Sequence, residues 1–230
     1  MADLVLITGA AKRVGKDLAL HYARKGWHVV VHHYKSVEEA IELQSHAHGL
    51  GGKISLFQGD LKEKGGAEEL FNRVVRDCGV PRLLINNASV FEKDEAVVTE
   101  ASFAMHMTVN LFTAIHLTQL LHARAQGPCT SIALGDTTLP AGWKHFSSYA
   151  MSKVALIEWV KANASGFLPK LYLHGLMLGP TLRNARESER HFEALVAASR
   201  SHKPTSVEEI AAAVDQLVEK PCTEALIDLS

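Results

Sequence analysis

Tyr149 and Lys153 stand four residues apart in the stretch YAMSK, at the start of an amphipathic pattern. At that spacing both side chains leave one helical face, so the ammonium is expected to lie near the phenol and favour its ionised form. That would bring a pKa of about 10 toward working pH. A tyrosine so placed can pass a proton, although Tyr-x-x-x-Lys alone is common in ordinary helices. Three further features accompany it: NNAS at residues 86–89 closes an apolar run, and Asp136 follows another, thirteen residues before Tyr149. Asn110 falls in an otherwise apolar helical stretch, where its amide needs an internal partner.

A second group of residues suits a phosphate. TGAAKRVG, residues 8–15, follows the apolar run 4–7 and opens a helix, so backbone N–H groups and the helix dipole face an anion there. Gly9 is expected to permit the tight turn and Gly15 to let the helix pack closely on the sheet, with Thr8, Arg13 and Val14 completing the segment. A surface turn that needs glycine only for its backbone angles is the alternative. The next apolar run, VVVHHYKS, has no acid before Glu38 to bind the ribose hydroxyls of NAD. His33, Lys35 and Ser36 stand there instead, and Arg13 can project toward them, forming a cationic pocket for the 2'-phosphate of NADP. The alternative for Lys35 and Arg13 is that they are solvated surface cations.

The elements that must position these groups alternate along the chain. Val/Ile/Leu-rich runs at 4–8, 28–33, 53–58, 82–86, 129–134, 171–177 and 225–229 read as strands buried on both faces. Helical patterns lie at 14–25, 37–49, 65–78, 97–124, 148–165, 187–199 and 206–219, the last opened by a Ser206–Glu209 capping box. This predicts an α/β fold: one domain over 1–230, Rossmann-type, with a doubly wound parallel sheet of about seven strands and ligands beyond the strands' carboxyl ends.

The composition narrows the function. With 230 residues, 47% hydrophobic and 21% charged, and a net charge of -1, nothing suggests a nucleic-acid partner. Three scattered cysteines give no disulfide framework, and neither His32-His33 nor His46-Ala-His48 has the companions of a metal site. Asp3 and a four-residue apolar run make neither a signal segment nor a membrane span. A cytoplasmic enzyme without metal is expected.

Taken together, these motifs resemble the short-chain dehydrogenase/reductase family over essentially the whole chain. The resemblance implies that Tyr149 is the general acid, that Lys153 tunes it and holds the nicotinamide ribose, and that Asn110 organises a relay water. It implies cofactor contacts at Asn87 and Ala88, with Asp60 near the adenine, and Gly179 and Pro180 of LGPT bordering the nicotinamide. It further implies a homodimer or homotetramer.

Two departures sharpen the resemblance, since most members carry serine where this chain has Asp136 and glycine where it has Arg13. Both changes occur in pteridine reductases, whose pterin-stacking aromatic residue Phe91 matches and whose 2'-phosphate segment HHYKS is similar to. A pterin-like C=N bond needs protonation at nitrogen as hydride reaches carbon, which a carboxyl linked through the tyrosine can relay; a carbonyl needs only a neutral donor. Asp136 could instead structure its loop, and Phe91 could be a core-edge aromatic. Segment 181–203 is expected to be a substrate-side lid. The chain stops at ALIDLS, where family members usually continue into a glycine-rich tail, which leaves tail contacts in doubt. The expected activity is NADPH-dependent reduction of a dihydropterin or dihydrofolate. The rivals are a carbonyl or quinonoid reductase and a non-catalytic NADPH-binding sensor.

Overall fold

In the computed structural model, which describes residues 2–138, 145–183 and 188–230, the apolar runs pair as one parallel sheet. Its strands are β1 (Leu4–Ile7), β2 (His28–His33), β3 (Lys53–Gln58), β4 (Leu83–Asn86), β5 (Cys129–Asp136), β6 (Leu171–Leu178) and β7 (Leu226–Asp228). Their order is β3-β2-β1-β4-β5-β6-β7, as the alternating pattern predicts. The helices are α1 (Arg13–Arg24), α2 (Val37–Gly49), α3 (Gly66–Cys78), α4 (Glu100–His106), α5 (Thr113–Arg124), α6 (Ser147–Asn163), α7 (Glu189–Ala198) and α8 (Val207–Glu219).

The sheet is apolar on both faces because both are covered. Val5 and Ile7 of β1 pack with Leu18, Val29, Ile85 and Val214 on one side, while Leu4 and Leu6 meet Val30, Phe71, Leu84 and Leu117 on the other. Each such side chain, fully buried, contributes about 1.5–3 kcal/mol. The chain winds from β1 to β3 on one side and returns to β4 on the other, which opens a crevice beyond the ends of β1 and β4.

Many element ends shift by one or two residues from the sequence reading, and three differences bear on the site. The helix expected over 97–124 begins at Glu100, where the Thr99 side chain accepts the Ser102 N–H, and it is broken by a π-helical turn at Met107–Phe112. The Thr113 hydroxyl donates to the Thr108 carbonyl, 3.0 Å away, in that widened turn. Strand β5 runs two residues beyond Leu134, placing Asp136 inside the strand opposite Leu178. Gly135 is no strand end: a Cβ there would meet Met177 Sδ at 2.7 Å and Ile157 Cδ1 at 2.8 Å, so glycine makes room for α6. Helix α7 starts at Glu189, capped by Ser188, and residue 187 of the expected helix lies outside the described residues. The Ser206–Glu209 capping box forms as predicted. Among the described residues no helix is long and apolar enough to cross a membrane.

Candidate active site

The turn after β1 is held from two directions. The Thr8 hydroxyl oxygen accepts the N–H groups of Asn87 (3.1 Å) and Ala88 (3.0 Å), and the Asn87 amide donates to the carbonyls of Thr8 (2.8 Å) and Gly9 (3.0 Å). Gly9 adopts φ 62, and a Cβ on it would come within 2.9 Å of the Ala88 Cα, so both backbone and space require glycine. Gly15 answers a different need from the expected one. Its Cβ would lie 2.5 Å from the Asn87 Nδ2 and 2.8 Å from the Ala10 Cα, so the close approach is to the turn itself rather than to the sheet.

His32, given no role in the sequence reading, completes this turn. Its Nδ1 accepts the Gly9 N–H at 3.1 Å, so Nε2 carries the proton and donates to the Gly59 carbonyl at 3.1 Å. Burial lowers its pKa to about 4, against the opposing pull of the Gly59 bond, and the ring is neutral. Ala10 N–H goes to the His32 carbonyl at 2.9 Å. With the Gly9 and Ala10 amides taken, the first amides of α1, around Arg13 and Val14, are among those that can face an anion.

Arg13 has the left-handed backbone angle φ 55, the region in which glycine sits without strain. Its guanidinium points away from Lys35 and Ser36, reaching the carbonyls of Leu182 (2.6 Å) and Arg183 (3.2 Å) beyond β6. The cationic pocket expected at the end of β2 is thus assembled differently. His33 is buried there, its pKa lowered by that burial, so it brings no charge, and its Nδ1 has no partner. Lys35 and Lys62 place their ammonium groups 5.3 and 5.5 Å from the Tyr34 ring centroid. Asp60 accepts the Lys62 N–H at 2.9 Å and raises the Tyr34 pKa by a hydrogen bond. Ser36 flanks α2 with no side-chain cap bond. Lys62 escaped the sequence reading because its cation arrives from the loop after β3.

At the ends of β4, β5 and β6 the polar residues converge. The Tyr149 hydroxyl donates to Asp136 Oδ2 at 2.8 Å, while Asp136 Oδ1 accepts both the N–H (2.8 Å) and the hydroxyl (2.5 Å) of Thr138. The expected lowering of the phenol pKa is reversed: burial, then the Asp136 charge and hydrogen bond, push it up. Lys153 turns instead to the Leu134 carbonyl, 2.9 Å from its Nζ. Burial lowers its pKa to about 8, with Asp136 pulling the other way. The spacing of YAMSK fixed the shared face, but not which neighbour each head group meets.

Asn110 sits in the π turn and is fully engaged. Its Oδ1 accepts the Val90 N–H (2.7 Å), and its Nδ2 donates to the Val90 carbonyl (3.0 Å) and the Ser152 hydroxyl oxygen (3.0 Å). It clamps the segment after β4 to α6. Phe91, on that segment and half exposed, lies edge-on to Tyr149 at 4.7 Å and stacks on Phe146 at 4.5 Å with a 2° interplanar angle. Phe146 was invisible in the sequence, since nothing local marks a residue flanking a helix as part of an aromatic wall. Gly179 N–H donates to Thr205 Oγ1 at 3.1 Å, and the Pro180 carbonyl accepts the Thr205 N–H at 2.8 Å, tying LGPT to the loop before α8. The arrangement offers a buried phenol linked to a carboxylate, with a buried ammonium on the same helix held by the Leu134 carbonyl, at the crevice of a doubly wound sheet.

A family model described as short chain dehydrogenase matches residues 3–194. The NADPH-dependent pterin aldehyde reductase of Arabidopsis thaliana is 26% identical over 181 residues, covering 76% of this chain and 71% of its own. The solved structure of FolM alternative dihydrofolate reductase 1 from Brucella canis, complexed with NADP, is similar with a TM-score of 0.90 and 26% identity, covering 99% of this chain and 92% of its own. The angucycline C-6 ketoreductase LanV with bound NADP shares the fold at a TM-score of 0.88 and 22% identity, over 99% of this chain and 94% of its own.

Proposed function

The chain belongs to the short chain dehydrogenase family, and within it we propose an NADPH-dependent reductase of a dihydropterin- or dihydrofolate-like C=N bond. The carrying observation is the 2.8 Å hydrogen bond from the Tyr149 hydroxyl to Asp136. The donor set fits NADP: the first amides of α1 would hold the pyrophosphate, and Lys35, Lys62 and Ser36 would hold the 2'-phosphate, since β2 ends without an acid of its own and the Asp60 carboxylate, from the loop after β3, is engaged by Tyr34 and the Lys62 N–H. The likeness to the dihydrofolate reductase complexed with NADP supports both the cofactor and the C=N bond, whereas the likeness to the pterin aldehyde reductase supports NADPH and a pterin-bearing ligand but a carbonyl as the reacting group. Thr8, Gly9, Gly15, Asn87 and Ala88 shape the turn, Gly179 and Pro180 border the nicotinamide, and Asp60 lies toward the adenine.

NADPH, when bound, supplies the hydride. Tyr149 gives its proton toward the substrate nitrogen as hydride reaches carbon, and the Asp136 carboxylate, linked to that hydroxyl, takes up one proton from solvent and passes it to the tyrosine oxygen, so each turnover consumes one proton from water. Lys153, whose Nζ donates to the Leu134 carbonyl, would hold the nicotinamide ribose and keep its charge near Asp136. Asn110, whose side chain bonds Val90 and Ser152, holds the π turn, beside which a relay water would have to sit. Phe91 provides a flat apolar face for a fused ring, and of the expected substrate-side lid over 181–203, residues 181–183 and 188–203 are described. Exposed Phe112, Met151 and Val154 on the faces of the π turn and α6 support a homo-oligomer.

A second reading, carbonyl or quinone reduction, is favoured by the two bonds from Thr138, which would hold Asp136 as a loop-structuring residue whatever the substrate. NADPH oxidation measured with dihydrobiopterin, dihydrofolate, a ketone and a quinone separates the two. Turnover of a pterin is expected; turnover of the carbonyl compounds alone would overturn the first reading.

A further inference from the structure

Residues 87–99 carry Phe91 to the Tyr149 ring without any helix or strand of their own. Asp94, 6% exposed in the middle of this segment, bonds to three other parts of the chain. Its N–H donates to the His145 carbonyl at 2.8 Å, its Oδ1 accepts the Ser102 hydroxyl of α4 at 2.8 Å, and its Oδ2 accepts the Ser148 N–H of α6 at 2.9 Å. The last bond fills a gap. Phe146 flanks the start of α6 and offers no side-chain cap, so the first amides of that helix need an acceptor from elsewhere. A carboxylate there also meets the positive end of the helix dipole. Burial alone would raise the Asp94 pKa, but the bonds from Ser148 and Ser102 outweigh it and hold it below its usual value.

His106 braces the same segment. It is fully buried, its Nε2 accepts the Glu92 N–H at 3.3 Å, and its Nδ1, necessarily protonated, donates to the Ser102 carbonyl at 2.8 Å. The Phe91 segment, α4 and the first turn of α6 therefore meet at one carboxylate.

We propose that Asp94 is a positioning residue: it caps α6 from outside the helix, sets the rotation of the turn that holds Tyr149, and registers Phe91 against that ring. Two separations depend on it, the Tyr149–Asp136 hydrogen bond of 2.8 Å and the Phe91–Tyr149 centroid distance of 4.7 Å. The inference rests on the reading of Tyr149 and Asp136 as the proton pair, because misplacing a reacting group by about 1 Å can cost roughly 10²-fold in rate.

The test compares Asp94→Ala with Asp94→Asn, which keeps an acceptor for the Ser148 N–H. With dihydrobiopterin, or with a quinone if only that is reduced, Asp94→Ala is expected to lose about tenfold or more in kcat, and Asp94→Asn to stay within about threefold of the parent. NADPH affinity should be unchanged in both, as read by fluorescence titration. Hydrogen exchange should quicken in the Asp94→Ala variant for peptides spanning 88–95 and 145–152 while the sheet stays protected. Equal kcat for the parent and Asp94→Ala would overturn the proposal, as would a loss that appears only with loss of NADPH affinity and of folded protein, or an Asp94→Asn variant as impaired as Asp94→Ala. Should the parent reduce neither substrate, the reading of the site fails; the exchange measurement then decides on Asp94, and unchanged exchange at 145–152 rejects it.

Discussion

Asp136 acts on its two neighbours in the same direction and with opposite consequences. Its charge raises the pKa of Tyr149, keeping the phenol neutral, and raises that of Lys153, keeping the ammonium charged against a burial that lowers its pKa to about 8. Activity is expected to fall as pH rises through about 8, where Lys153 gives up its proton. Asp136→Asn removes the charge that raises this pKa, so the alkaline limb should move to lower pH. Stability should run the other way. Because the folded pKa lies below the usual lysine value, the buried charge costs stability below about 8, and the cost is relieved as pH rises from there toward the unfolded value of about 10.4. A pH–rate profile of parent and variant checks the first point, and a limb that does not move would detach Asp136 from Lys153. The residue types at 136, 149 and 153 were legible in the sequence. The pairings were not, because whether the ammonium faces the phenol or the Leu134 carbonyl depends on how deeply α6 packs on β5.

At the scale of elements, the strand–helix alternation was legible throughout, since a sheet buried on both faces leaves apolar runs bounded by turns. The π turn was not, because Met107–Phe112 keeps the apolar character of its flanks and one wider turn barely shifts the periodicity. Nor was the joint made by His32, a residue that reads as one more member of β2. It links the β1–α1 turn to the loop after β3, and its pKa of about 4 places it well below an unfolded histidine. The unfolded chain then binds more protons between about 6.5 and 4, so this contribution to stability is present above pH 6.5 and is lost as pH falls toward 4. His32→Leu strands the Gly9 N–H and the Gly59 carbonyl. It is expected to cost about 2–6 kcal/mol, at roughly 1–3 for each unpaired group, and to flatten the acid slope. Urea unfolding at pH 7 and pH 5 measures both; an unchanged midpoint would show that the joint carries no weight.

For the whole molecule, the cofactor crevice is spanned at two places by groups of different reach. Lys35 stays at the end of β2, while Arg13 crosses to the carbonyls of Leu182 and Arg183. Discrimination for NADPH over NADH should therefore rest on Lys35, whose loss removes a charge-assisted contact worth about 1.5–3 kcal/mol, or roughly 10- to 150-fold in the ratio of the two cofactors. Arg13→Ala should weaken both cofactors alike, since it loosens the phosphate turn and the 181–183 strand exit rather than the 2'-phosphate contact. Comparing kcat/KM with NADPH and NADH for the parent, Lys35→Ala and Arg13→Ala checks this. A parent that uses both cofactors equally would contradict it, as would an Arg13→Ala variant that loses only NADPH.

If the bond between Tyr149 and Asp136 serves protonation at nitrogen, it governs one ratio: kcat/KM for dihydrobiopterin over kcat/KM for a reactive quinone, measured with NADPH in the parent and in Asp136→Ser. Serine restores the arrangement suited to a carbonyl, so the ratio is expected to fall by about 10²-fold or more, with quinone reduction preserved. A ratio that does not change, or a parent that reduces no pterin, would contradict the account and leave Asp136 as a brace for its own loop.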